Sequence, residues 1–196
     1  MLLVVDCCLR RDDSATRAYY QAYLRVACEQ DVQVVELDKL HLKPLNGETL
    51  RERDKLIRAQ DFSSKQFFLA RQFREADELL IAAPFWDLSF PSLLKVYLEQ
   101  VTVNGLTFGY DEQGCCHGFC RARRLLYFST CGGFYGERHL GYEYVKALGA
   151  MLGIPLCVPY ILEGLDIDLN KRDCILKQAI EDLMPDKKNK KGIKNL

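Results

Sequence analysis

The stretch Asp77-Glu78-Leu79-Leu80-Ile81-Ala82-Ala83-Pro84-Phe85-Trp86-Asp87-Leu88-Ser89-Phe90-Pro91-Ser92-Leu93-Leu94-Lys95 decides the fold. Leu79–Ala83 is a short, unbroken apolar run, the pattern of a strand covered on both faces of a parallel sheet. From Pro91 to Val103 apolar residues recur at helical spacing, and proline suits a first helical turn. Strand, loop and helix in that order make up most of a βαβ unit. The loop is unusual, because the only tryptophan of the chain, Trp86, stands there beside Phe85 and a carboxylate, Asp87. Large apolar side chains where a solvated turn is expected need a surface to lie against.

Four further runs resemble Leu79–Ala83: Leu2–Val5, Val32–Leu37, Leu125–Ser129 and Leu156–Ile161. Between them lie segments of helical spacing at Ser14 to Glu29, Phe62 to Glu75, Leu140 to Leu152 and Lys171 to Met184. Strands alternating with helices of this length imply right-handed βαβ crossovers and a doubly wound α/β domain. Asp38–Gln60, with Pro44, Asn46-Gly47 and many charges, reads as a connection containing an irregular helix. Residues 1–185 form a single domain on this reading, and the lysine-rich residues 186–196 a solvated, disordered tail.

The 196 residues are 48% hydrophobic, enough for one well-filled core. Lys plus Arg and Asp plus Glu are both 27, a formal net charge of zero, so no overall field draws the chain to nucleic acid or to a membrane. No apolar run approaches the roughly 18 residues of a membrane span. Residues 1–6 meet charges at Asp6, Arg10 and Arg11 without the apolar core of a signal peptide, so a cytoplasmic location is expected. The nine cysteines are then expected to be reduced, with Cys28, Cys157 and Cys174 serving as small core hydrophobes.

In an open parallel sheet, ligands bind outside the carboxyl ends of the strands, where the strand order reverses. Three loops leave such ends. The first, Cys7 to Arg17, brings hydroxyls of Ser14 and Thr16 to a helix start, an anion site to which Arg10 or Arg17 could add charge; an N-cap explains the same residues more simply. The second is Pro84 to Leu88. The third, Ser129-Thr130-Cys131-Gly132-Gly133-Phe134-Tyr135-Gly136, combines glycines that admit a ligand close to the main chain with flat aromatic faces. There is no G-x-G-x-x-G and no P-loop. A phosphate loop of hydroxyls, an aromatic loop and a Gly-Gly-aromatic loop together fit flavin mononucleotide, FMN.

Ala76 to Leu88, then Pro91, Leu94-Lys95, Asn104-Gly105-Leu106-Thr107-Phe108-Gly109-Tyr110 with Gly114, Gly132-Gly133 with Tyr135, and Glu163-Gly164 resemble the FMN-dependent NADH-azoreductases, relatives of the NAD(P)H quinone reductases. The resemblance implies a flavodoxin-like five-stranded parallel sheet of order 2-1-3-4-5 with helices on both faces. It also implies a homodimer with active sites at its interface and non-covalent FMN. NADH or NADPH would be the co-substrate and a small planar acceptor, a quinone or azo compound, would be reduced by ping-pong hydride transfer through flavin N5. Carried over, Cys8, Ser14 and Thr16 fall where the family holds the phosphate and ribityl chain. Pro84, Phe85, Trp86, Asp87 and Leu88 fall on the loop holding the isoalloxazine, and Thr130, Gly132, Gly133 and Tyr135 at its other edge. Tyr110 and Trp86 are the candidate catalytic residues, shaping the acceptor pocket. Where the family has Met-Tyr-Asn-Phe, this chain has Phe85-Trp86-Asp87-Leu88, which replaces an amide by a carboxylate and removes a donor.

An electron-transfer or redox-sensing flavoprotein is the alternative reading. Cys115-Cys116-His117-Gly118-Phe119-Cys120 is too cramped for a paired-knuckle metal site and no second C-x-x-C accompanies it, so no metal is expected. His41 and His139 read as ordinary loop and helix-start residues.

Overall fold

A computed structural model describes residues 1–27, 31–136 and 138–183. The lysine-rich segment 186–196 and Cys28 lie outside the described residues. Five parallel strands, β1 (Leu2–Asp6), β2 (Val32–Glu36), β3 (Glu78–Ala82), β6 (Leu125–Thr130) and β7 (Cys157–Leu162), form one sheet in the order β2-β1-β3-β6-β7. Counted within that sheet, this is the expected order 2-1-3-4-5. Successive residues of a strand face opposite sides, and both sides are filled. Leu3, Val5, Leu79, Ile81 and Tyr127 meet Phe73, Leu94, Tyr97 and Val145 on one face. Leu2, Val4, Leu80, Leu126 and Phe128 meet Tyr19, Tyr20 and Tyr23 on the other. The helices that supply these layers are α1 (Ala15–Ala27), α3 (Phe68–Glu75), α4 (Ser92–Val101), α5 (Leu140–Met151) and α6 (Arg172–Asp182).

Asp38–Gln60 differs from its reading as irregular. Gly47–Arg58 is a regular helix, α2, and Asn46 begins it rather than turning the chain. The Asn46 side chain accepts the Glu48 and Thr49 amides, both at 3.0 Å, while Thr49 Oγ1 accepts the Asn46 amide at 2.9 Å, a reciprocal cap. Its charged surface is real, and it docks through Leu56 and Ile57, which pack against Phe67, Ala70, Val103 and Leu106, and through Arg53, which is buried and donates to the carbonyls of Glu99 (2.9 Å) and Thr102. Among the cysteines, Cys157 packs partly buried against the core, whereas Cys174 is exposed on α6 and is no core residue.

A short antiparallel hairpin, β4 (Phe108–Tyr110) with β5 (Cys116–Gly118), was not read from the sequence. It rests backbone to backbone on the end of α5, since a Cβ on Gly118 would stand 1.9 Å from the amide nitrogen of Gly153. In it His117 Nε2 lies 2.7 Å from Asp111 Oδ2, and Cys115 and Cys116 face solvent. Among the described residues no three His, Cys, Asp or Glu side chains converge as a metal site. Nor is any described helix long and apolar enough to cross a membrane.

Candidate functional site

The sheet register brings three loops together at one edge. Beyond the strands the ladder continues through Cys7 N–H to Ala82 O (2.8 Å), Ala83 N–H to Phe128 O (3.0 Å) and Phe85 N–H to Thr130 O (3.1 Å). Cys131 N–H to Leu162 O (2.7 Å) extends it to the last strand. The loops enclose a cleft of about 240 Å³. Arg10, Ser14 and Thr16 line it from the first loop, Pro84, Phe85 and Trp86 from the second, and Thr130, Gly132 and Tyr135 from the third. The Oγ1 atoms of Thr16 and Thr130 are 2.7 Å apart, so a hydroxyl pair joins the first loop to the third across the cleft floor.

Ser14 precedes α1 and caps it: its Oγ accepts the Arg17 amide at 3.3 Å and its carbonyl the Ala18 amide at 3.0 Å. Capping leaves the first-turn amides of Ala15 and Thr16 without intrahelical acceptors, and that turn has no acidic residue. The positive end of α1 therefore opens on the cleft. Arg17 does not contribute there. It is buried against Asp6 at 2.7 Å and Glu36 at 3.1 Å. Asp6 also accepts Tyr20 OH (2.8 Å) and the Cys8 amide (2.7 Å), which satisfies a carboxylate that would be costly to bury alone. This network fixes the direction in which the first loop leaves β1. Cys8 lies beneath the loop rather than in the cleft wall, its Sγ 3.8 Å from Ala82 O, and burial pushes its thiol pKa up.

In the second loop Trp86 and Ser89 exchange backbone hydrogen bonds, 3.1 and 2.7 Å, around Asp87 (φ 51°) and Leu88 (φ 64°). Two successive left-handed residues between a paired couple make a tight primed turn, where Asn-Gly is usual. The turn pushes Asp87 and Leu88 out to the tip, both exposed, so the Asp87 charge faces water instead of the cleft. Phe85 is pressed inward between Tyr135 (ring centroids 4.1 Å) and His139 (4.6 Å), while Trp86 keeps 40% of its surface exposed.

The third loop is held from β7. Gly132 and Gly133 carbonyls accept the amides of Asp166 (2.8 Å) and Gly164 (3.1 Å), and Glu163 Oε1 accepts the Tyr135 amide at 3.2 Å. Gly133 is on this loop but does not line the cleft. Cys131 does, yet burial, and then the nearby Glu163 charge, push its thiol pKa up to about 12, so it is no thiolate near neutral pH. Tyr110 stands on the hairpin, 61% exposed and edge-on to Phe108, outside the cleft lining. Sequence reading missed Asp13, Leu165, Asp166 and Arg172 in the wall. The signal for the last three was the Glu163-Gly164 pair, because Gly164 at φ 80° turns the chain back over the third loop.

The Flavodoxin_2 profile, described by its flavodoxin-like fold, matches residues 1–184. The chain belongs to the Flavodoxin_2 family. Among Flavodoxin_2 relatives, FMN-dependent NADH:quinone oxidoreductase 2 of Clostridium acetobutylicum is 38% identical over 117 residues, 57% of this chain and 58% of that protein. FMN-dependent NADH:quinone oxidoreductase of Lachnoclostridium phytofermentans is 30% identical over 151 residues, 76% of each chain. In fold, the chain is similar to the azoreductase from Bacillus anthracis, with a TM-score of 0.78 at 20% identity, covering 93% of this chain and 95% of that one.

Proposed function

We propose that this Flavodoxin_2 protein is an FMN-dependent oxidoreductase that passes electrons from NADH or NADPH to a small planar acceptor, a quinone or an azo compound. The observation that carries the reading is the single cleft joining a hydroxyl-lined helix start to an aromatic wall at the carboxyl ends of β1, β3 and β6. The names of the two curated relatives support it.

The residues present fit FMN. Ser14, Thr16, Arg10 and the positive end of α1 suit a phosphate, Thr130 offers a hydroxyl toward a ribityl chain, and Trp86, Phe85 and Tyr135 offer apolar surface to a tricyclic ring. When bound, FMN would supply the redox chemistry, hydride transfer between a nicotinamide and the acceptor, which the side chains of the cleft do not provide. The chain's own share is positioning. Tyr135 and His139 hold Phe85 in place, the Trp86–Ser89 turn fixes the height of the second loop, and the Thr16–Thr130 bond sets the width of the cleft. Tyr110, Trp86, Leu88 and Phe134 are each exposed, and a homodimer with its active sites at the interface would cover them.

The test is anaerobic reduction of FMN-loaded protein by NADH and by NADPH, followed by reoxidation with a quinone, an azo dye and a nitroaromatic in parallel. Rapid bleaching by a nicotinamide and rapid recovery with the quinone are expected. Slow reduction by both nicotinamides would favour an electron carrier and overturn the enzyme reading.

A further inference from the structure

Two residues of the cleft wall, Asp166 and Arg172, belong to no part of the reading above. Both follow β7. β7 runs parallel to β1, so the helices that follow these strands start at the same sheet edge, and α6 and α1 also share a face, with Leu176, Ala179 and Ile180 packed in the same cluster as Tyr19, Tyr20 and Tyr23. Two helix starts, at Ala15 and Arg172, thus reach one cleft. Within the turn before α6, Lys171 Nζ is 3.2 Å from Asp168, which also caps Asn170. Arg172 is held more loosely, its Nη1 3.9 Å from Asp166 Oδ1, well beyond the 2.7–2.9 Å or so of a charge-assisted hydrogen bond.

The other oxygen of Asp166 fills the space opened by Gly132. A Cβ on Gly132 would stand 2.3 Å from Asp166 Oδ2. The face that a glycine leaves open to a ligand is covered here by a carboxylate on a side chain that is otherwise 61% exposed and can swing away. The cleft wall thus carries two cations, Arg10 and Arg172, and two anions, Asp13 and Asp166, and a phosphate dianion entering it needs a cation released.

We propose that Asp166 is an internal placeholder for the phosphate of an anionic ligand: it stands 3.9 Å from Arg172 at the cleft wall, and an entering phosphate monoester takes Arg172 from it. Arg172 is then a phosphate-binding residue and Asp166 a competitor that lowers the affinity. The inference rests on the FMN reading of the same cleft, and the pairing of FMN with riboflavin, which has the ring and ribityl chain but no phosphate, separates the two.

Fluorescence titration of the wild-type protein, Arg172→Gln, Arg172→Lys and Asp166→Asn with each flavin is the test. Arg172→Gln is expected to weaken FMN binding about tenfold or more while changing riboflavin binding less than about twofold, with Arg172→Lys between wild type and Arg172→Gln for FMN. Asp166→Asn is expected to tighten FMN about threefold or more and leave riboflavin unchanged. Retained riboflavin binding shows that each variant is folded. Equal losses for both flavins in Arg172→Gln, or weaker FMN binding in Asp166→Asn, would overturn the placeholder. If the wild-type protein binds neither flavin, the cofactor reading itself falls and the placeholder with it.

Discussion

His139 is buried under the second loop and its hydrogen bonds fix its proton. Nδ1 accepts the Tyr142 amide at 3.1 Å and so caps α5, which leaves the hydrogen on Nε2, 3.3 Å from Ser129 Oγ. Burial holds its pKa below the ordinary 6.5. The unfolded chain therefore takes up a proton at a higher pH than the folded one, and this contribution to stability is present above pH 6.5 and is lost as pH falls below it through the folded pKa. Thermal melts are expected to fall on acidification from pH 6.5, and His139→Gln is expected to flatten that part of the profile while lowering the melting temperature at pH 8. An unchanged slope in the variant would remove His139 from the account. Residue types alone showed which loops would form the cleft, because hydroxyls, glycines and aromatics clustered after strands. They did not show Asp166 or Arg172, whose place depends on a turn at Gly164 and on helix packing. Nor did they show that Arg17 is spent on Asp6.

The primed turn at Asp87-Leu88 is the most strained described part of the site. Leucine in the left-handed region costs on the order of 1–3 kcal/mol, and here it is 42% exposed, so little packing offsets the strain. Leu88→Gly is expected to raise stability by about 0.5–1 kcal/mol in urea denaturation, the relief exceeding the added chain entropy. A loss of stability would mean that the Leu88 side chain contributes more than its exposure indicates. At this scale the strongly periodic segments were legible, and the two misses have physical causes. Helix α2 is charged over most of its surface and docks through a buried arginine and only two partly buried apolar residues, Leu56 and Ile57, so its apolar stripe is weak. Strands β4 and β5 are three residues each and owe their place to contact with α5, which no local pattern encodes.

Across the whole molecule, two filled faces of a parallel sheet account for the order of strands and for the position of the cleft at its carboxyl edge. The same layering sorts the thiols. Cys7, Cys8 and Cys131 are buried, whereas Cys115, Cys116 and Cys174 are exposed. Alkylation followed by peptide mass spectrometry is expected to label the exposed three in the native protein and the buried three only after unfolding. Native labelling of Cys7 or Cys131 would show that the loops over the cleft open readily. The fold was legible because burial on both faces imposes a continuous apolar pattern on the central strands β1, β3 and β6, whereas the edge strands β2 and β7 are partly open, with Val32 and Val34 40% and 47% exposed and no residue of β7 fully buried. If the three loops form one flavin site, as proposed, the chain's only tryptophan, Trp86, stands in its wall. Titrating the intrinsic fluorescence with FMN tests it most directly: saturable quenching at one FMN per chain is the expected result, and emission that does not change, or that falls without saturating, would contradict it.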